Sequence, residues 1–303
     1  MKKYLIQEIK FIIGMVVGNS LKVKFRLFLI CMVNGYMSVK NQNGKFIDKL
    51  NTIYIGYEPR EQESVDVLID TIKTASSYPL NIVTLNMTAL RRIGLYRRAP
   101  DTVSTCWGEK QDGVMRDAFD KKPFSTEFSF TRFLVPHLNQ YEGFALFMDC
   151  DMFFTADPCE LFRNYATDDA PPVQVVQHNY EKSGDTKMYG CPQTNYSRKN
   201  WSSFMLWNCG HPSNLNLTVD DVNTKSGNWL HNFKWLNDDE IGSLPEEWNW
   251  LDGHSDPDIY PKNIHFTTGG PWFETWVPKR DIDEHYAKKW RIYKNVLGIN
   301  NVN

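Results

Sequence analysis

The fold class is decided by residues 52–86, which read TIYIGYEPREQESVDVLIDTIKTASSYPLNIVTLN. The first six residues form an apolar run that ends at Glu58-Pro59 and predicts a buried strand. A second apolar run, LNIVTLN, predicts another strand over 80–86. Between the two runs, apolar residues recur at helical spacing, at Val65, Leu68, Ile69, Ile72 and Ala75. Strand, helix and strand in this order predict a parallel pair with a right-handed crossover, and hence an α/β fold with a mostly parallel central sheet.

Further elements are predicted downstream of this unit. Ser125 suits the cap of a helix that reads TEFSFTRFLVPHL, which Pro136 is expected to bend or shorten. Three further strands are predicted, reading GFALFMDCD (143–151), VQVVQH (173–178) and SFMLWN (203–208). The C-terminal third is rich in Trp, Gly and Pro, which predicts loops packed around the sheet.

Composition restricts the class of function. The 303 residues fit one large domain or two small ones, and a 42% apolar share allows a substantial core. The 34 basic and 36 acidic residues nearly cancel, which argues against a nucleic-acid partner. The six cysteines are scattered without a CxxC pair. We therefore expect reduced thiols in a cytoplasmic protein rather than a disulfide framework or a zinc ribbon.

Residues 1–50 differ in kind from the rest of the chain, since they are both basic and apolar. Lys22, Lys24 and Arg26 interrupt the apolar runs before they reach the roughly 20 residues that a membrane span needs. A small-residue cleavage site typical of a signal peptide is not evident. We expect an extension that the catalytic domain does not need. The alternative is a weak membrane-surface helix, which would place the protein on the inner face of a membrane.

Two aspartates at the end of an apolar run are the main candidate site. In FALFMDCDMFF, alternation along a strand puts Asp149 and Asp151 on the same side. Open α/β sheets bind ligands outside the carboxyl ends of their strands, which is where this pair falls. The carboxylates suit a site for Mn²⁺ or Mg²⁺ that bridges a diphosphate. The alternatives are a phosphatase pair with Asp149 as nucleophile, or a cap for the following helix.

Six sequence blocks occur in one order between residues 51 and 276, and together they resemble a known family. They read IYIGYEPRE, STEFSFTRFLVPHL, LFMDCDM, RKNWSSFMLWNC, WLNDDEIGSLPEEWNW and HFTTGGPWF. This set resembles the glycogenin-like glycosyltransferases of family 8. The resemblance implies a GT-A fold, a Rossmann-like three-layer sandwich that binds a nucleotide-diphospho-sugar.

The resemblance also implies roles for individual residues. Gly56, Tyr57 and Arg60 would lie along the nucleotide base and ribose, and Arg132 near the donor phosphates. Asp149 and Asp151 match the D-x-D metal motif, and Asp149 is also within reach of the ribose. His265 matches the third metal ligand, and the backbone at Gly269 and Gly270 would approach the phosphates.

One block departs from the family pattern. The family motif HxxGxxKPW here reads HFTTGGPW, without the Lys that would neutralise the departing diphosphate. Arg60, Arg132 and Lys262 are the candidates to replace it.

The acidic pair Asp239-Glu240 matches the family pair that faces the anomeric carbon of the sugar. A carboxylate there would stabilise an oxocarbenium-like transition state or attack as a nucleophile. The alternative is an exposed acidic helix start, which the helix dipole favours. His178 is a weaker candidate for contact with the acceptor or the diphosphate, and Trp272 is expected near the site.

The predicted function is metal-dependent transfer of a hexose from a UDP-sugar to an unidentified glycan, lipid-linked or protein acceptor, with retention of configuration. The alternatives are a haloacid-dehalogenase-like phosphohydrolase that uses Asp149, and a non-catalytic protein that binds sugar nucleotides or glycans. We expect an extension over 1–50, a catalytic domain over 51–285 and a tail over 286–303.

Overall fold

The computed structural model describes residues 50–98, 117, 119, 120, 122, 124–179, 186, 187, 191, 192 and 198–299. Its strands are β1 (Thr52–Gly56), β2 (Asn81–Leu85), β3 (Phe144–Met148), β4 (Met152–Phe154), β5 (Val173–Val175), β6 (Thr186–Lys187), β7 (Cys191–Pro192), β8 (Phe204–Asn208), β9 (Ile241–Ser243), β10 (Trp250–Leu251) and β11 (Asn263–His265). Its α-helices are α1 (Gln62–Ala75), α2 (Met87–Arg92), α3 (Val135–Leu138), α4 (Cys159–Tyr165), α5 (Val219–Thr224), α6 (Gly227–His231) and α7 (Asp281–Leu297).

A six-stranded main sheet has the strand order β2-β1-β3-β8-β5-β9. Strand β1 is parallel to both β2 and β3, and β5 is parallel to β9. Only β8, which lies between β3 and β5, runs antiparallel to its neighbours in this sheet. The predicted α/β class with a mostly parallel central sheet is therefore confirmed.

The unit β1-α1-β2 forms where the apolar pattern predicts it. Strand β1 is buried along its whole length, as expected for a parallel strand that is covered on both faces. Helix α1 turns one face inward, which carries Ser64, Val65, Val67, Leu68, Thr71 and Ile72. Pro59 opens a short 3₁₀ turn that leads from the strand into the helix.

The predicted helix over 126–138 is wrong in part. A 3₁₀ helix covers Thr131–Leu134, and α3 begins only at Val135. Pro136 explains this, because proline lacks an N–H and is tolerated only in the first turn of an α-helix. Gln140 and Tyr141 then adopt positive φ, which ends the helical path before β3.

The C-terminal third contains more regular structure than the predicted loops. Strands β10, β11 and β4 form a second sheet, in which β11 is parallel to β10 and antiparallel to β4. Helix α7 follows. Acidic residues occupy its first turn, where the helix dipole favours them, and Gly298 ends it with φ of +66°.

Helix α7 packs on the second sheet and forms a distinct part of the core. The cluster comprises Val67, Phe153, Trp250, Ile264, Phe266, Tyr286, Ala287 and Trp290. Three of these residues come from the segment expected as a tail over 286–303. Residues 286–297 are thus a helix that contributes buried side chains to the core.

The N-terminal extension was expected over residues 1–50, and residues 1–49 of it lie outside the described residues. Within the described part of the chain, no helix is both long and apolar enough to cross a membrane. Cys150 and Cys159 are buried thiols.

The packing of α7 generates a stability prediction. Trp290 is 1% exposed, and its ring centroid lies 5.4 Å from that of Trp272. We expect Trp290→Ala to lower the free energy of unfolding by about 3–5 kcal/mol, because a large cavity replaces a buried indole. Val296 on the same helix is 81% exposed, so Val296→Ala should change it by less than about 0.5 kcal/mol. Urea denaturation measures both, and equal effects would show that 286–297 does not stabilise the domain.

Candidate active site

The aspartate pair lies where the two sheets meet. Asp149 directly follows β3 of the main sheet, and Asp151 directly precedes β4 of the second sheet. Backbone hydrogen bonds fix both residues, since Asp149 N–H donates to Ser203 O at 2.9 Å and Asp151 O accepts from Phe266 N–H at 2.9 Å. Both aspartates are partly exposed, whereas Cys150 between them is fully buried. This burial pattern agrees with the predicted alternation.

The pair forms a cluster with His265. One ligand atom from each of Asp149, Asp151 and His265 lies within 4.8 Å of the others. Strand pairing brings them together, because His265 on β11 is the register partner of Met152 on β4. His265 Nε2 lies 3.2 Å from Asp151 Oδ1. The three residues predicted as metal ligands therefore lie side by side.

Asn249 orients the histidine. His265 Nδ1 lies 2.9 Å from Asn249 Oδ1, and Asn249 Nδ2 donates to Ser203 Oγ at 3.0 Å. An amide oxygen only accepts, so Nδ1 of His265 carries the proton. The lone pair of Nε2 then faces the carboxylates, which is the tautomer that a metal ligand requires.

Arg132 lies against the first carboxylate. Its Nη1 is 3.0 Å from Asp149 Oδ1 and donates to Ser202 O at 2.7 Å. The guanidinium also lies over the rings of Phe128 and Phe147, at 5.2 and 5.0 Å from their centroids. Arg132 thus lies beside Asp149, and its role at the donor phosphates stays a prediction.

Glu61 is an acid of this site that the sequence analysis missed. It is 2% exposed, accepts a hydrogen bond from Cys150 Sγ at 3.3 Å, and lines the same cleft as the aspartates. Burial, followed by the negative charge of Asp151, raises the pKa of Glu61 well above its usual range. No sequence signal pointed to this position, because it depends on the pairing of β1 with β3.

A cleft, here called the main cleft, opens above the cluster. Its walls come from residues of the segments 117–132, 199–203 and 227–231, together with Thr267 and Gly269. His231 lies in one wall, with Nδ1 2.8 Å from Ser202 Oγ. Burial, followed by the charge of Arg132, lowers the pKa of His231 well below its usual range, so its imidazole is neutral.

The residues predicted to lie along the nucleotide sit just behind this cleft. Arg60 pairs with Glu58 and donates to Ser125 O at 3.0 Å, and Tyr57 donates to Gln62. A Cβ on Gly56 would lie 2.5 Å from Phe128 Cδ2. Ser125 and Phe128 line the main cleft, whereas Gly56, Tyr57 and Arg60 do not.

The two glycines of HFTTGGPWF have different roles. Gly269 has φ of +98°, a backbone conformation that favours glycine, and it lines the main cleft. Gly270 instead makes room for Trp272, since a Cβ there would lie 2.0 Å from the indole. Trp272 packs edge-on to Phe266 at 5.8 Å and supports this loop from behind.

The acidic turn at 238–240 lies at the edge of the main sheet, directly before β9. Asp239 is exposed. Glu240 accepts hydrogen bonds from Asn237 N–H at 2.9 Å and from Ser213 Oγ, and the latter bond first of all lowers its pKa. These contacts match those of a capped turn, and the described contacts do not bring either acid to the cluster.

Asp252 anchors the loop that carries Gly269. It accepts hydrogen bonds from Thr268 N–H at 3.1 Å and from Thr268 Oγ1, which in turn accepts from Trp276 Nε1 at 3.1 Å. Asp252 is 1% exposed, and burial raises its pKa to about 7. This loop wall is therefore held by a buried carboxyl that titrates near neutral pH.

Comparison with known proteins identifies one curated relative. Protein CDI from Arabidopsis thaliana is 44% identical over 253 residues, which cover 82% of this chain and 87% of that protein. No protein-family model matches the chain.

Several solved structures are similar in fold at low sequence identity. The bifunctional glycosyltransferase WbbM gives a TM-score of 0.48 at 15% identity, with 86% of this chain and 54% of that chain covered. GlyE from Streptococcus pneumoniae TIGR4 gives 0.47 at 12%, with 82% and 63% covered. The galactosyltransferase LgtC, in complex with donor and acceptor sugar analogues, gives 0.47 at 12%, with 81% and 95% covered. The chain thus spans about half to two thirds of the first two proteins.

The buried carboxyl of Asp252 generates a prediction for pH dependence. An aspartate titrates near 4 in an unfolded chain. Between about pH 4 and 7 the unfolded state therefore loses its proton first, and the wild-type free energy of unfolding falls as pH rises. Asp252→Asn does not titrate, so its stability relative to wild type should rise by about 2–3 kcal/mol from pH 5 to pH 8. Urea denaturation at the two pH values measures this.

The exposed Asp258 offers a matched control for that experiment. Asp258→Asn should show no such trend. A difference between Asp252→Asn and wild type that stays constant with pH would contradict the assigned pKa.

Proposed function

We propose that this chain, which belongs to the family of protein CDI from Arabidopsis thaliana, is a glycosyltransferase that uses a divalent cation to transfer a hexose from a UDP-sugar. The observation that carries the proposal is the cluster of Asp149, Asp151 and His265 at the carboxyl end of β3. The ordered sequence blocks that resemble family 8 glycosyltransferases supply the nature of the donor, and they also imply a GT-A fold and retention of configuration.

The donor atoms of the cluster fit a divalent cation. Two carboxylates suit hard cations such as Mg²⁺ and Mn²⁺, and the imidazole nitrogen shifts the preference toward Mn²⁺. The hydrogen bond from His265 Nδ1 to Asn249 fixes the imidazole in the ligating tautomer. Only part of the surface of each carboxylate is exposed, so the cation would lie at the floor of the main cleft.

The proposed reaction exchanges one bond at the anomeric carbon for another. The bond to the diphosphate oxygen breaks and its electron pair leaves with the diphosphate. A bond forms to an acceptor hydroxyl, whose proton passes to the leaving diphosphate. A divalent cation held at the cluster supplies Lewis-acid stabilisation of the leaving group. In this proposal the nucleobase of the donor packs against Phe128 in the wall of the main cleft. Gly56, Tyr57 and Arg60 support that wall from behind. Asp239 and Glu240 stay predictions for the anomeric carbon.

The charge of the absent Lys is supplied, we propose, by Arg132 and Lys199. Arg60 is engaged by Glu58, and Lys262 pairs with Glu160 at 3.0 Å, outside the residues that line the main cleft. Arg132 and Lys199 both line that cleft together with the aspartates. The charge of Lys199 also contributes, after burial and two arginines, to the lowered pKa of His231 in the wall of this cleft.

The two alternatives receive less support. Asp149 pairs with Arg132 and belongs to a three-ligand cluster, which suits a metal ligand better than a phosphatase nucleophile. A non-catalytic protein that binds sugar nucleotides would use the same cluster, and only turnover separates it from an enzyme.

The first prediction for this function concerns the metal site. UDP should raise the unfolding temperature of the wild type in the presence of Mn²⁺ and not in EDTA, because ligand that binds only the folded state stabilises it. Asp151→Asn should abolish this shift and lower UDP-sugar hydrolysis at least about 100-fold, since the ligand charge is lost.

The chain contains a control in its second D-x-D sequence, where Asp258 is exposed. Asp258→Asn should behave as wild type in both assays. Absence of any Mn²⁺-dependent shift with UDP would refute the proposal. A shift without turnover of any UDP-sugar would select the non-catalytic alternative.

The second prediction tests which lysine side chain, that of Lys199 or that of Lys262, neutralises the diphosphate. Lys199→Gln should weaken the binding of UDP in the presence of Mn²⁺ about tenfold, or about 1.4 kcal/mol, while UMP binding changes less because it lacks the β-phosphate. Lys262→Gln serves as the control and should leave both affinities unchanged. Isothermal titration calorimetry measures them, and the reverse ranking of the two variants would contradict the assignment to Lys199.

A further inference from the structure

A second cavity lies between the ends of β5 and β9 and the turn that precedes β10. Its volume is about 400 Å³, and it opens at the carboxyl ends of the parallel strands β5 and β9. The residues that matter here are Gln177, His178, Ser243, Glu246, Leu251 and His254. Leu244 N–H donates to Val175 O at 2.8 Å, which ties the two strand ends that form its floor.

This cavity is built onto the elements that position the metal cluster. Leu251 on β10 is the register partner of His265 on β11. The 3₁₀ turn Glu246–Asn249 also links the two sites. Its first residue, Glu246, lines the second cavity, and its last, Asn249, contacts His265. A ligand in the second cavity would thus lie next to the strand that carries His265.

The lining is polar and poor in positive charge. Glu246 is the charged side chain among the described residues that line the second cavity, and no Lys or Arg is among them. Burial lowers the pKa of His178 to about 3, so this imidazole is neutral at physiological pH. Gln177 and Asn179 contribute amides. Carboxylate, imidazole and amide groups pair well with sugar hydroxyls. An anionic group would meet Glu246 without a compensating cation.

We infer that the second cavity is the acceptor site, and that the group it receives is an uncharged, hydroxyl-rich saccharide. This inference rests on the proposed function, because an acceptor is needed only if a sugar is transferred. It also selects among acceptors. The part of the acceptor that enters the cavity is a neutral glycan end and not a phosphorylated headgroup.

The test measures binding of defined probes to the full chain by saturation-transfer difference NMR, without donor. The probes are methyl α-D-glucopyranoside, methyl β-D-galactopyranoside and methyl β-D-xylopyranoside at millimolar concentration, with glucose 6-phosphate as the anionic comparison. We expect at least one methyl glycoside to bind the wild type more strongly than glucose 6-phosphate.

Two variants locate the binding. Glu246→Ala removes the carboxylate, and Ser243→Phe fills the cavity from an exposed position on β9. Each should lower the glycoside signal at least fivefold. Glu247→Ala is the matched control, because Glu247 is the next residue of the same turn and lies 3.9 Å from Lys262, away from the cavity. It should leave the signal unchanged. The unfolding temperature of each variant checks that it is folded.

The outcomes decide the inference separately from the proposed function. Stronger binding of glucose 6-phosphate would overturn the neutral class, and a signal that persists in both cavity variants would overturn the location. If the wild type shows the Mn²⁺-dependent rise in unfolding temperature with UDP but binds no glycoside, this inference alone is contradicted. If that rise is absent, the proposed function is contradicted, whether or not the glycosides bind.

Discussion

The site depends on how two neighbouring carboxylates are kept close together. Like charges at this spacing repel, and partial burial strengthens the repulsion. Arg132 Nη1 lies 3.0 Å from Asp149 Oδ1 and offsets part of this repulsion. Backbone hydrogen bonds of Asp149 and Asp151 fix the two residues, so a ligand meets carboxylates that are already placed. The Nε2 lone pair of His265 lies 3.2 Å from Asp151 Oδ1, a contact that becomes favourable when a cation lies between them.

The same pair joins the two sheets, and this explains why the second sheet and α7 matter for the site. Asp149 ends β3 and Asp151 begins β4, so their relative position is set by how the sheets pack. His265 comes from β11, which is held by β4 on one side and β10 on the other. The core cluster under β11 includes Trp290 from α7. Helix α7, far along the sequence, thus supports strand β11, which carries the candidate ligand His265. Loosening this packing would disturb the cluster.

Local pattern and order along the chain were enough for part of this architecture. The unit β1-α1-β2 follows from apolar periodicity. The resemblance carried by the ordered blocks named Asp149, Asp151 and His265 together as candidate ligands, and these three side chains lie side by side. The pairing of Arg60 with Glu58 was not predicted, although the two residues are only two positions apart. Glu58 occupies the guanidinium and competes with any ligand for it. Glu61 was missed because its burial beside Asp151 depends on how the loop after β1 meets β3.

The charge balance of the main cleft explains why a cation and a diphosphate would bind together. Among the described residues that line it, the acids are Glu61, Asp117, Asp120, Asp149 and Asp151, and the bases are Lys122, Arg132 and Lys199. Asp117 is neutralised from behind by Arg98, and burial favours the protonated form of Glu61. The three remaining acids then balance the three bases. A diphosphate adds about two to three negative charges, which a divalent cation largely offsets. Either ligand alone would leave the cleft with uncompensated charge, so each should favour the binding of the other.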